Sequence, residues 1–200
     1  MSDTGTPALL REEVRQAACR MAELGLARGS SGNISLRLPK ERFLITASGI
    51  PYNELSADQI VKIDYDGEPS CAGIPSSEWR MHAAIYRRRP DVQAIVHTHS
   101  PFATAAAIAL TSLPVMHDEG KILFGEALSV SVHAPPGTWK LAKATADAIA
   151  GGKAALISHH GAIAVGPTLQ EALLMAEKVE ETAQLYWLVA QIRGSNASDR

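Results

Sequence analysis

The chain has 200 residues and a formal net charge of −2, and 46% of its residues are hydrophobic and 20% charged. This is the composition of one globular domain, and it excludes a chain that is mainly disordered or collagen-like. The near-neutral charge does not indicate a nucleic-acid partner, and the most apolar stretch, 102–110, is too short to span a membrane. Cys19 and Cys71 are far apart and form no disulfide framework. Since the N-terminus shows no leader pattern, we expect a cytoplasmic protein without a nucleic-acid or membrane partner.

Helical and extended patterns alternate along the whole sequence. Apolar residues at helical spacing predict helices at 7–24, 78–89, 102–110, 138–150 and 169–192. Apolar runs bounded by turn residues predict strands at 34–38, 43–47, 61–65, 92–99, 128–133, 154–158 and 162–165. Because the two types are interleaved, we expect a single α/β or α+β domain over 1–200. Its ordered core should cover about 6–193, with frayed ends at 1–5 and 194–200.

Two histidines lie at the end of the strand predicted at 92–99. His97 and His99 are two residues apart, so both imidazoles project from one face of the strand, about 7 Å apart at Cα. Nitrogens at that separation can both reach one metal ion at about 2.0–2.1 Å. Alone, such a pair is more often two unrelated histidines, but a second histidine cluster after another strand favours a metal site.

That second cluster is His159-His160-Gly161, directly after the strand predicted at 154–158. Gly161 would allow the backbone to turn sharply beside a site. Adjacent residues of a strand face opposite ways, so we expect only one of His159 and His160 to be a ligand, and the residues alone do not tell which. Three histidine ligands with an open position are typical of a catalytic rather than a structural metal.

Small polar residues precede the second predicted helix. Ser77 is its predicted N-cap, and Glu78 falls in its first turn beside Ser76. Hydroxyls and free backbone N–H groups at a helix start can bind an anion, although a simple capped helix explains the same pattern. Glu78 and His82 share one helix face and could both bind a metal. We expect His82 to pack in the core instead.

Two further loops, Ser31-Gly32-Asn33 and Ser48-Gly49, each lie beside a predicted strand. Either loop could be an ordinary turn. Together with Ser76 and Ser77, however, they supply several hydrogen-bond donors suited to a phosphate group.

The order and spacing of these motifs resemble the class II aldolase/adducin family, most closely its L-fuculose-1-phosphate aldolase branch. The resemblance extends from about Leu10 to Ile192. Its motifs are found at 31–35, 44–52, 75–79, 97–99, 159–161 and 179–180. It implies a three-layer α/β/α sandwich around a mostly antiparallel central sheet.

The resemblance also implies roles for individual residues. The metal, zinc or another divalent transition metal, would be held by His97, His99 and His160. Glu78 would be the acid/base residue, near or on the metal when substrate is absent. The substrate phosphate would be held by Asn33, Ser48, Gly49, Ser76 and Ser77. Members of the family are commonly homotetramers with active sites at subunit interfaces.

The implied reaction is cleavage of a ketose 1-phosphate to dihydroxyacetone phosphate and an aldehyde by a metal-dependent carbon–carbon lyase. Candidate substrates are L-fuculose 1-phosphate and a 5-deoxy- or 5-methylthio-pentulose 1-phosphate. The chain departs from the fuculose enzymes at Asp118, which stands about where they have a tyrosine for the aldehyde side. The segment 117–124, with Gly120 as its expected hinge, would face the metal site of a neighbouring subunit.

Three alternatives remain open. Decarboxylation of a 3-oxo-tetronate 4-phosphate would use the same metal and the same motifs. A metal hydrolase is suggested by the motif His-Thr-His-Ser, but those enzymes carry it at the first strand of a larger barrel. A non-catalytic adducin-like module is expected to lack metal histidines, and this chain has all three.

Overall fold

The computed structural model describes residues 7–198 and the side chains of residues 7–194. The helices are α1 Pro7–Glu23, α2 Trp79–Arg88, α3 Pro101–Ala109, α4 Asp118–Phe124, α5 Trp139–Ile149 and α6 Leu169–Ser198. The strands are β1 Asn33–Leu38, β2 Arg42–Thr46, β3 Ile60–Asp64, β4 Ala94–Thr98, β5 Ser112–Pro114, β6 Ala127–Ser129, β7 Ala154–Ile157 and β8 Gly161–Gly166. The frayed end expected at 1–5 lies outside the described residues, as do residues 6, 199 and 200.

The central sheet has six strands in the order β3-β2-β1-β4-β8-β7, and every pair in it is antiparallel. Successive side chains of these strands point to opposite faces of the sheet, and both sets are buried. In β4, Ile95 packs with α2 and α5, whereas Ala94 and Val96 face the opposite side with α1, α3 and α6. Helices therefore cover both faces, and the predicted three-layer α/β/α sandwich with a mostly antiparallel sheet is confirmed.

The register of the sheet brings together one end of each of three internal strands, β1, β4 and β8. Asn33 at the start of β1 pairs with His97 near the end of β4. On the other side of β4, Thr98 pairs with Ala162 of β8. The polar segments beside these strand ends therefore converge above the middle of the sheet.

Several element boundaries differ from the sequence-based expectation. The N-cap of α2 is Glu78 rather than Ser77, because the chain at 76–78 turns to bring the glutamate side chain inward. The predicted strand at 128–133 is ordered as β6 for three residues only. Val132 is 76% exposed, and the chain then enters the loop Pro135-Pro136-Gly137, where the prolines cannot donate to a sheet.

Two other differences concern helices. The chain at 194–198 is helical in α6 rather than frayed, since extending a helix already anchored by packing costs little. The segment 117–124 forms the short helix α4, and Gly120 is buried within it. A Cβ at Gly120 would lie 2.5 Å from the His117 ring, so this glycine allows close packing and the expectation of a hinge was wrong. Within the described residues, no helix is long and apolar enough to cross a membrane.

Candidate active site

Three histidine side chains converge at the ends of the internal strands β4 and β8. Possible ligand nitrogens of His97, His99 and His160 all lie within 4.8 Å of one another. The Nε2 atoms of His97 and His99 are 2.9 Å apart, and the three rings meet edge to face with centroids 4.8–4.9 Å apart. Nitrogens that point at one another in this way are suited to surround a single cation.

The orientation of His97 is fixed by the neighbouring strand. Its Nδ1–H donates to the carbonyl oxygen of Ala162 in β8 at 2.9 Å, which leaves the Nε2 lone pair for a ligand. The ring is fully buried, and burial, together with the nearby imidazoles of His99 and His160, holds the pKa of His97 well below its usual range. The His97 ring is therefore neutral, which is the form that binds a metal.

The structure also distinguishes the two adjacent histidines. His160 joins the cluster, and burial lowers its pKa to about 4. His159 is exposed, with its ring against that of His133 at 5.1 Å. Its backbone adopts a left-handed conformation with φ of 57°, and this turn directs the next side chain back toward the sheet. Gly161 completes the turn, since a Cβ there would overlap the Thr98 carbonyl oxygen.

Glu78 lies at the start of α2 and is 7% exposed. Its Oε1 accepts the Gly137 N–H at 2.9 Å, whereas its buried Oε2 has no hydrogen-bond partner. Burial raises the pKa of the Glu78 carboxyl, and the Gly137 N–H and the positive charge of Arg80 act in the opposite direction. One oxygen is thus held by the backbone while the other is available for a proton or a ligand.

The predicted polar loops meet the histidines in one cavity of about 480 Å³. Its walls contain all five residues proposed for phosphate and the acid/base candidate, as well as two of the histidines: Asn33, Ser48, Gly49, Ser76, Ser77, Glu78, His99 and His160. His97 lies behind this surface. Asp118 does not line the cavity and is exposed at the start of α4.

Backbone contacts hold the loops of the cavity together. Ala47 and Pro75 form a β-bridge, the Ser76 N–H donates to the Thr46 carbonyl at 3.0 Å, and the Ser48 N–H donates to the Ile74 carbonyl at 2.9 Å. These bonds place the two serine-containing loops side by side. The cavity is therefore organised by main-chain bonds between its loops.

The Ser31-Gly32-Asn33 turn is fixed against the histidine strand. Gly32 has a φ of 74°, and a Cβ there would lie 2.6 Å from the His97 carbonyl oxygen, so only glycine fits. The hydroxyl of Tyr52 donates to the Gly32 carbonyl at 2.7 Å. This turn consequently keeps a constant position relative to the histidines.

Sequence reasoning missed several residues of the site. Gly137 holds Glu78, and Pro136 lines the cavity. Glu180 of α6 accepts the N–H groups of Phe102 and Ala103 and so fixes the start of α3, just after His99. The only available signals were the Pro-Pro-Gly run and the family motif at 179–180.

The residues present fit a bound divalent cation. The cluster is entirely imidazole, and the buried Nδ1 of His160 and Oε2 of Glu78 have no hydrogen-bond partner in the described part of the chain. Such unpaired buried polar atoms are costly unless a ligand or an ion satisfies them. The histidine group itself does not include Glu78, which lies in the same cavity.

Comparisons with known proteins agree with this geometry. Residues 12–187 match the family model described as the class II aldolase and adducin N-terminal domain. The chain is 40% identical over 188 residues to the 5-methylthioribulose-1-phosphate/5-deoxyribulose-1-phosphate aldolase of Rhodospirillum rubrum, covering 94% of this chain and 85% of that protein. It is 40% identical over 177 residues to the L-fuculose phosphate aldolase of Escherichia coli K12, covering 88% and 82%.

A further relative and a solved structure extend the comparison. A 3-oxo-tetronate 4-phosphate decarboxylase of Escherichia coli O6:H1 is 34% identical, covering 90% of this chain and 87% of its own length. A solved structure of L-fuculose 1-phosphate aldolase superposes with a TM-score of 0.88 at 32% identity, covering 96% of this chain and 89% of its own. The named aldolases are carbon–carbon lyases, which confirms the predicted class of enzyme, and class II aldolases depend on a metal. This chain belongs to the class II aldolase/adducin family.

Proposed function

We propose that this protein is a metal-dependent aldolase that cleaves a ketose 1-phosphate to dihydroxyacetone phosphate and an aldehyde. The observation that carries the proposal is one cavity containing imidazoles of the histidine cluster, a carboxylate with a free buried oxygen and three donor-rich loops. Each of these parts corresponds to one requirement of the reaction, which needs charge stabilisation, proton transfer and orientation of the phosphate.

His97, His99 and His160 would hold the metal, which we propose is zinc or a similar divalent ion. When bound, such an ion supplies Lewis-acid polarisation of the substrate oxygens. The three neutral imidazoles add no charge, so the full charge of the ion remains available to the substrate. Glu78 is the remaining candidate ligand in the absence of substrate, because its Oε2 is buried in the same cavity without a partner.

Glu78 is the proposed acid/base residue. In the cleavage direction the carbon–carbon bond would break with its electron pair left on the carbon that becomes the hydroxymethyl carbon of dihydroxyacetone phosphate, and the Glu78 carboxyl would deliver a proton to that carbon. The hydroxyl proton of the half that becomes the aldehyde would leave to a group on the aldehyde side, for which Asp118 is the proposed residue. In the synthetic direction its carboxylate would remove that proton. The Gly137 N–H fixes Oε1, so Oε2 is the oxygen available to exchange the proton.

The phosphate would be bound by neutral donors. Among the described residues, the cavity lining contains no lysine or arginine. Hydroxyls, amide groups and backbone N–H groups of Asn33, Ser48, Gly49, Ser76 and Ser77 take their place. Binding energy from this remote group would orient the reacting carbon and oxygens toward the histidine cluster and Glu78.

We propose that the substrate is a 5-deoxy- or 5-methylthio-pentulose 1-phosphate, or L-fuculose 1-phosphate. These candidates differ in the half that becomes the aldehyde. Relatives with both kinds of name are equally similar to this chain, at 40% identity. Asp118 is the chain's own residue on the proposed aldehyde side. Since it lies outside the cavity of one chain, we propose that it reaches the site of a neighbouring subunit in a homotetramer. Exposed apolar side chains on α6, including Leu174, Trp187 and Leu188, are consistent with such contacts.

A second candidate function is decarboxylation of a 3-oxo-tetronate 4-phosphate. The relative with that name covers nine tenths of this chain at 34% identity, and the reaction calls for the same kinds of groups. The adducin-like, non-catalytic alternative is disfavoured by the convergence of three histidines that such a module does not need.

An assay of sugar phosphates separates these candidates. The zinc-loaded protein would be incubated with each candidate ketose 1-phosphate and with a 3-oxo-tetronate 4-phosphate. We expect release of dihydroxyacetone phosphate from at least one ketose 1-phosphate, loss of activity with a chelator and recovery with a divalent metal. Release of carbon dioxide and dihydroxyacetone phosphate from the 3-oxo-tetronate 4-phosphate, with no cleavage of any ketose 1-phosphate, would favour the decarboxylase. No reaction of the metal-loaded protein with any of these compounds would contradict the proposal.

A further inference from the structure

A buried histidine outside the cavity contacts one of the residues that line it. His82 on α2 is 0% exposed, and its Nε2 lies 2.6 Å from Oδ1 of Asn33. On the other side of the ring, Nδ1 lies 2.6 Å from the hydroxyl of Ser35, which is 2.7 Å from the hydroxyl of Tyr86. These four side chains form a continuous polar chain that ends at the proposed phosphate site.

The chemistry of the groups gives this chain a direction. The carboxamide oxygen of Asn33 can only accept, so Nε2 of His82 must carry the ring proton. Nδ1 then accepts from the Ser35 hydroxyl, and Ser35 in turn accepts from Tyr86. Reversing every bond would leave Tyr86 donating to the Gln93 carbonyl at 3.4 Å, a much longer contact than the 2.7 Å to Ser35.

We propose that His82 is a positioning residue which holds the Asn33 side-chain amide so that its NH₂ group, and not its oxygen, faces the substrate phosphate; this inference rests on the proposed function. A carboxamide has two similar ends, and without a partner it can turn either one toward the cavity. With Oδ1 engaged by His82, the Nδ2 group is the end left for a ligand. In a cavity whose lining lacks lysine and arginine among the described residues, one misdirected oxygen would oppose an anion directly.

Two other observations support this role. The ring of His82 is wholly enclosed and lies parallel to Phe43, with centroids 6.5 Å apart, so it has little freedom to turn. Burial also lowers the pKa of His82 to about 3, which keeps the ring neutral and able to accept at Nδ1 while donating at Nε2. His82 therefore serves as a fixed donor to Asn33 at any ordinary pH.

The first test is the tautomer of His82. Nitrogen NMR of the zinc-loaded protein, with ¹⁵N-labelled histidine and assignment by the His82→Gln variant, reports which ring nitrogen carries the proton. We expect the proton on Nε2. A proton on Nδ1 would overturn the inference, because Asn33 would then have to donate inward and present its oxygen to the cavity.

The second test compares two amide replacements. In His82→Gln the side-chain nitrogen can occupy the place of Nε2, whereas in His82→Asn the amide reaches only the place of Nδ1. With inorganic phosphate as the probe, calorimetry of the zinc-loaded variants should give a dissociation constant within about threefold of wild type for His82→Gln and about tenfold weaker for His82→Asn. Equal affinities for both variants and wild type would overturn the inference.

A double substitution separates positioning from a general loss of structure. If His82 acts through Asn33, His82→Asn should weaken phosphate binding no further once Asn33→Ala is present. Additive losses would contradict the inference. Zinc content and thermal unfolding, measured on the same samples, verify that each variant is folded. Wild type that binds phosphate but cleaves no ketose 1-phosphate would refute the proposed aldolase activity, while these phosphate measurements would still decide the role of His82.

Discussion

The histidine cluster and the proposed acid/base carboxylate are held in different ways. His97 is placed by the register of β4 with β8, and its ring is fixed by a bond to the backbone of the adjacent strand. Glu78 lies at a loop-to-helix junction and is fixed by the N–H of Gly137, in a loop 59 residues further along the chain. The carbonyl of Gly137 is itself held by Arg80 at 2.9 Å. In the proposed function, metal binding would thus depend on the sheet, whereas proton transfer by Glu78 would depend on the docking of one loop.

The largest effect should come from removing one histidine of the cluster. His160→Ala should abolish metal binding and activity, because two imidazoles remain where three converge. The matched control is its neighbour, replaced as His159→Asn, since asparagine tolerates the left-handed backbone at that position. Metal analysis and turnover check both variants. Equal metal loss in the two would refute the assignment of His160 over His159.

Removal of the Glu78 carboxylate should affect proton transfer and not metal binding. Glu78→Gln should lower turnover by about 10²–10⁴-fold while the metal is retained, since the amide keeps the shape but cannot transfer the proton. Turnover and zinc stoichiometry would be measured on one preparation. Loss of zinc in proportion to activity would instead make Glu78 chiefly a metal ligand.

The loop that holds Glu78 offers a smaller and more specific change. Arg80→Met removes the bond to the Gly137 carbonyl and a positive charge that lowers the pKa of Glu78. The pKa of Glu78 should therefore rise. In the synthetic direction, where Glu78 acts as the carboxylate, the acid limb of the kcat/KM profile should move to higher pH. Loss of the bond should lower activity at neutral pH by about tenfold at most. Arg87→Met, on the same helix, is the control and should leave the acid limb in place. An unchanged acid limb in Arg80→Met would show that this contact does not tune the carboxylate.

The sequence could predict the histidine cluster better than the contacts that hold the Glu78 carboxylate. Strand periodicity placed His97 and His99 on one face, and the family motif selected His160, so the cluster was predictable. The bond from Gly137 to Glu78 was not, because no local pattern links a Pro-Pro-Gly loop to a helix start so far away in sequence. The Ser77 cap was wrong for a related reason, since the chain there is shaped by the cavity and not by helix capping alone. The order of helices and strands followed from periodicity, but short elements such as α4 and β5 carry too few periods to be recognised.

A further expected effect concerns stability, not turnover, and depends on the buried ring of His82. Its pKa is about 3 in the folded protein and 6.5 in an unfolded chain, so below pH 6.5 the unfolded state binds the proton first. Stability of the metal-free protein should therefore fall as the pH decreases from 6.5 toward 3, with His82 contributing about 1.4 kcal/mol per pH unit. His82→Gln should remove that contribution from the pH slope of the unfolding free energy, measured by denaturant titration with a chelator present. An unchanged slope would contradict the burial argument.

Exchange of a hydroxymethyl proton of dihydroxyacetone phosphate with solvent tests the proposed site most directly, because it requires no aldehyde. Zinc-loaded wild type would be incubated with dihydroxyacetone phosphate in D₂O, beside Glu78→Gln with the same zinc content, and the hydroxymethyl protons followed by NMR. We predict that wild type incorporates one deuterium at the hydroxymethyl carbon and that Glu78→Gln slows this by about 10²–10⁴-fold. Exchange at the wild-type rate in Glu78→Gln, or none in zinc-loaded wild type, would contradict the proposal that Glu78 beside the histidine cluster moves this proton.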